Sequence, residues 1–143
     1  MQTFLPFPEF DKSCAVLDYK RLGKQRVECK QLLKALGQYP EGLMKPEEKP
    51  SSGGWAKHPA ATMWQGYEAA LAMYHNEAIL AWVSRGYRNT MPLIDIEAWI
   101  APPWLGDPLF HASHRSNLIR KDPAYYRDQL GWTEPDDMEY VWP

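Results

Sequence analysis

Apolar residues recur at helical spacing through most of this chain, and no alternating run is long enough to make a confident strand. The opening is different. Phe4, Leu5, Phe7 and Phe10 are interrupted by Pro6 and Pro8, which predicts an extended arm over 1–10 whose apolar side chains pack on the core. Asp11, or less strongly Ser13, then caps a helix running from about Lys12 to Leu36, with Gly37 as its stop. At about 100° per residue, Leu22, Cys29, Leu33 and Leu36 share one buried stripe. Gly23 sits mid-helix and marks either a break or a close approach.

Residues 38–58 are rich in Pro, Gly, Ser, Glu and Lys and predict a long loop, with Trp55 pinning its end. Pro59 opens the next helix, along which Trp64, Tyr67, Leu71 and Tyr74 form a core stripe. A second stretch covers about Asn76 to Arg85 and stops at Gly86. Residues 89–106 make an ordered crossing anchored by Ile94, Ile96, Trp99, Ile100, Trp104 and Leu105. Asp107-Pro108 starts a helix to about Arg120, and Pro123 starts a further turn. An acidic tail, 134–143, folds its Tyr140-Val141-Trp142 end back onto the core. The fold class is therefore mostly α: a compact single-domain helical bundle over 1–143 with an extended N-terminal arm and long ordered loops.

The totals change this picture little. A chain of 143 residues suits one core, and two cysteines make no disulfide framework, so a reduced, cytoplasmic chain is the simplest expectation. There is no membrane-length apolar run and no signal-peptide pattern. A net charge of −2 argues against nucleic-acid binding by bulk charge. Seven Trp and eight Tyr favour tight packing, a stacking surface, or both.

Where the charges fall matters more. Lys20, Arg21, Lys24, Arg26, Lys30 and Lys34 surround a single acid, Glu28, while Arg115, Arg120, Lys121 and Arg127 form a second basic stretch. If the two meet, a nearly neutral molecule acquires one strongly positive face. Arg26 lies beside the apolar stripe and must find a carbonyl, acidic or anionic partner, or snorkel outward. A solvated helix face is the plain alternative.

No GxGxxG, P-loop or HExxH is present. His111 and His114 are spaced to share a metal, but no third ligand is evident, so neither a metal nor a cofactor is expected. The remaining cations, amides, hydroxyls and aromatics suit phosphate positioning with base contact. The candidate binding set is Lys20, Arg21, Lys24, Arg26, His111, His114, Arg115, Asn117, Arg120 and Lys121, with DNA or a nucleotide as partner.

Two runs, Val16-Leu17-Asp18-Tyr19-Lys20-Arg21-Leu22-Gly23-Lys24-Gln25-Arg26-Val27-Glu28 and Phe110-His111-Ala112-Ser113-His114-Arg115-Ser116-Asn117-Leu118-Ile119-Arg120-Lys121-Asp122-Pro123, resemble the pyrimidine dimer DNA glycosylase family. The resemblance implies a helical domain with an N-terminal arm threaded through it, and a glycosylase with linked abasic-site lyase activity that needs no metal. It also implies attack by an N-terminal amine on C1′ of the damaged nucleotide, assisted by a glutamate. Matching Tyr19 to the family's tyrosine puts Arg21 at that glutamate's place, and Glu28 is the nearest acid on the same helical face. The sequence Met1-Gln2-Thr3 makes the nucleophile the Met1 amine, or leaves none. The implied catalytic pair is thus Met1 and Glu28. The alternative is a nucleotide- or nucleic-acid-binding protein on the same fold without glycosylase activity.

Overall fold

A computed structural model describes residues 2–48 and 54–143. Among these there is no strand; the chain is built from helices α1 (Phe10–Val16), α2 (Tyr19–Ala35), α3 (Pro59–Thr62), α4 (Glu68–Ser84) and α5 (Pro108–Lys121). A 3-10 turn, Glu41–Leu43, lies in the long loop, and a π-helical turn, Ala124–Gln129, follows α5. Helix α4 is the central pillar against which α1 and α2 pack.

The first predicted helix is two helices. Glu9 precedes α1 with no side-chain cap, so the helix opens at Phe10, slightly before the predicted cap at Asp11. It closes at Leu17, where the backbone turns extended and drops the side chain fully into the core. Asp18 then caps α2, its Oδ2 accepting from the Arg21 N–H at 3.4 Å. The Tyr126 hydroxyl fixes this corner by accepting from the Asp18 N–H at 3.0 Å and donating to its Oδ1 at 2.5 Å. The break is thus made by a tyrosine more than a hundred residues away. Gly23 lies within α2 as a close approach: a Cβ there would meet the Trp82 ring at 3.1 Å.

The second helical region also differs from its predicted division. Short α3 ends near Met63, Gly66 turns at φ +86°, and α4 runs unbroken through Asn76. The predicted stripe survives across the turn, because Trp64, Leu71 and Tyr74 are all fully buried. Arg85 closes α1, donating to the carbonyls of Cys14 at 3.2 Å and Ala15 at 3.0 Å.

The N-terminal arm runs through the interior, with Gln2, Thr3, Phe4 and Leu5 all buried. A buried extended segment normally satisfies its backbone in a sheet. Here side chains do so. Gln25 Nε2 donates to Gln2 O at 2.8 Å, and its Oε1 accepts from Phe4 N at 2.9 Å. Tyr74 donates to Phe4 O at 2.5 Å. His114 Nδ1 accepts from Leu5 N at 2.9 Å, while His111 Nδ1 donates to Leu5 O at 2.7 Å. Arg115 donates to Pro6 O at 2.6 Å, and the Ser13 hydroxyl serves both N–H and C=O of Phe7. Each buried group left unpaired would cost about 1–3 kcal/mol, so these contacts fix the register of the arm.

Helix α5 also holds the C-terminal tail. Asn117 donates to Met138 O at 3.0 Å, Ser116 Oγ accepts from Met138 N at 3.0 Å, and Ser113 Oγ accepts from Val141 N at 3.2 Å. These bonds draw Tyr140 and Trp142 back over the domain, as the sequence suggested.

Candidate active site

A cleft of about 990 Å³ opens along α2. Its basic lining is Lys20, Arg21, Lys24 and Arg26 from α2 together with Lys121 from the end of α5, and Glu28 is its carboxylate among the described residues. Helical geometry explains the first group. Residues 20, 21, 24 and 28 share the face beside the buried stripe of Leu22, Cys29 and Leu33. Lys121 completes the ring from outside α2. Partial burial lowers the pKa of its ammonium, and the nearby Arg21, Arg120 and Lys24 charges push it the same way. The two basic stretches therefore do meet, at the C-terminal end of α5.

Arg26 does not snorkel. Its guanidinium lies 4.6 Å from the Trp82 ring centroid, and Nη1 donates to Asn89 Oδ1 at 2.6 Å. Trp82 in turn stacks on the half-exposed Tyr19, with centroids 5.6 Å apart and planes 21° apart. One wall of the cleft is thus aromatic and cationic together. His58, Tyr140 and Trp142 also line the cleft, the last two with ring centroids 5.7 Å apart and planes tilted by 49°. Gln2 and Phe4 of the arm also line the space.

Glu28 stands at the meeting point of arm and helix. Its Oε2 accepts from Gln25 Nε2 at 3.3 Å, and the same nitrogen donates to Gln2 O. Gln2 and Glu28 are therefore joined through one amide. Met1, the expected nucleophile, lies outside the described residues.

The rest of the candidate set is placed elsewhere. His111, His114 and Asn117 are buried and occupied with the arm and tail. The two histidines hold opposite tautomers, because one must donate to Leu5 and the other accept from it; Gly106 N–H donates to His111 Nε2 at 2.9 Å. Burial drives the His114 pKa down to about 3, and burial also lowers that of His111. Arg115 is paired with Glu134 at 2.9 Å. Arg120 bonds Asp136 O at 3.1 Å at the rim of the basic cluster. None of these five lines the cleft.

Sequence reasoning passed over Gln2, Tyr19, His58, Trp82, Tyr140 and Trp142 as site residues. An exposed tyrosine directly following the Asp18 cap was the available signal for Tyr19; the others come together only through the tertiary fold.

No curated protein and no solved structure matches the chain. A family model described as pyrimidine dimer DNA glycosylase matches residues 1–95, which hold the arm, α2 and α4, and so every cleft residue except Lys121, Tyr140 and Trp142. On that match over the greater part of its length, the chain belongs to the pyrimidine dimer DNA glycosylase family of DNA repair.

Proposed function

We propose that the chain excises damaged or modified pyrimidines and cleaves at the resulting abasic site, through an imine between the Met1 amine and C1′ of the nucleotide. The observation that carries this reading is the position of Gln2 in a cationic cleft, one amide away from Glu28. Met1 directly precedes Gln2 in the sequence.

The chemistry balances as follows. The lone pair of the neutral amine forms a bond to C1′ as the C1′–N1 bond breaks, and that electron pair departs with the base, which takes up a proton. The amine loses a proton and the sugar ring opens, giving the imine. Loss of a C2′ proton then expels the 3′ phosphate, and water releases the product and the amine. An α-amine has a pKa of about 8 against about 10.4 for lysine, so far more of it is free to attack at neutral pH. Glu28 accepts a proton or steadies the developing cation at C1′. Lys20, Arg21, Lys24 and Lys121 grip the backbone phosphates, and Arg26 stiffens the aromatic wall beside them.

Borohydride added during reaction with an abasic-site duplex should trap a covalent protein–DNA adduct. Peptide mapping should place it on the first residue, and acetylating that amine should abolish it. Absence of an adduct from pH 5 to 9 would overturn the imine.

A further inference from the structure

We infer that Gln25 is a positioning residue for this reaction, setting the Gln2–Thr3 peptide against Glu28 with a single amide; this rests on the imine reading above. Gln25 is 1% exposed, and its side chain is saturated by four contacts. Nε2 donates one hydrogen to Gln2 O at 2.8 Å and the other to Glu28 Oε2 at 3.3 Å. Oε1 accepts from Phe4 N at 2.9 Å and lies 2.9 Å from the Tyr74 hydroxyl.

The orientation is not free to flip. A backbone carbonyl can only accept and a backbone N–H can only donate, so Gln2 and Phe4 dictate which end is oxygen. In an extended chain, the C=O of one residue and the N–H two residues later point to the same side. The Gln25 carboxamide fits that pair as the N–H and C=O of one residue in a neighbouring parallel strand would. It therefore does the work of a sheet partner from within a helix, and its spare hydrogen reaches the carboxylate. Glu28 has no other side-chain bond among the described residues. Gln25 thus sets both the start of the arm and the direction of the acid, so the distance between them depends on one side chain.

Gln25→Glu separates the two ends of the amide. It keeps an acceptor for the Phe4 N–H but faces Gln2 O and Glu28 with an oxygen that donates only when protonated. Single-turnover borohydride trapping on abasic-site DNA, normalised to the folded fraction by circular dichroism, provides the rate. At saturating DNA and about pH 8 that rate should fall about 10- to 100-fold, since a displacement near 1 Å can cost that much. The Kd for the same DNA should move less than about threefold, because the phosphate-gripping side chains are untouched. The variant-to-wild-type ratio should recover as the pH falls towards about 5, where the introduced carboxyl regains a hydrogen to donate. Gln25→Asn, which keeps the amide but is one methylene short of spanning both partners, should lose rate with no such recovery; it also serves if Gln25→Glu does not fold.

A wild-type adduct with rates per folded molecule unchanged in both Gln25 variants would overturn the positioning role and leave the imine standing. No wild-type adduct would remove both.

Discussion

Leu5 shows how the arm is held at the level of single residues. Its N–H and C=O are both read by imidazoles, one accepting and one donating. Burial, and after it the neighbouring His111, holds the His114 pKa down to about 3, and protonation would also convert its acceptor nitrogen into a donor facing an N–H. The unfolded chain takes up that proton at the ordinary histidine value of 6.5. Between these two values the unfolded state binds more protons, so stability is complete above about pH 6.5 and falls as the pH drops towards 3. His111, lowered by burial, acts in the same direction. Unfolding free energies from urea titrations between pH 7 and pH 4 should therefore fall, by at most about 1.4 kcal/mol per pH unit for each such group. His114→Asn should be less stable at pH 7 but show a shallower slope. An unchanged slope would mean that this imidazole is not buried neutral. These histidines were legible as chemically special, yet not as structural. A helix turn carrying His111, Ser113, His114, Ser116 and Asn117 looks like a ligand site until a chain is seen to cross it. The need came from the backbone of the arm, and no local pattern in α5 records that need.

At the level of elements, α2 and α4 meet where Gly23 lets the Trp82 ring lie against the helix backbone. Exposed helix interiors usually gain about 1 kcal/mol when glycine becomes alanine. That gain should fail here. Trp82 is tied by its indole N–H to Arg88 O at 2.8 Å, stacked by Tyr19 and faced by Arg26, so it has little room to move a few tenths of an ångström. Gly23→Ala should lose up to about 2 kcal/mol in denaturant unfolding, as overpacked sites do. A rise in stability would show that the ring yields freely. The helical periods of α2 and α5 could be read from the chain, and so could the cationic face of α2. The break at Leu17–Asp18 was harder. Asp18 is a good cap by type, but the helix stops there because Tyr126 holds its peptide in place.

For the whole molecule, the cleft reconciles a net charge of −2 with a DNA substrate. Cations are gathered on one side while acids such as Glu134 and Glu48 are paired with Arg115 and Lys30 elsewhere. With Lys20, Arg21, Lys24 and Lys121 on phosphates, log K should fall against log salt with a slope of about −3 to −4. Replacing Lys20 and Lys24 with Gln should lower the magnitude of that slope by about two. A slope near zero would place DNA elsewhere on the surface.

The arm has one more consequence, for synthesis. Leu5 leaves the ribosome long before its partners at 111 and 114, which lie 106 and 109 residues further on. Gln2, Phe4 and Phe7 can find Gln25, Tyr74 and Ser13 early, but both polar groups of the Leu5 backbone must wait until the first half of α5 has been translated. A chain cut before α5 therefore lacks the two imidazoles that hold Leu5 in place.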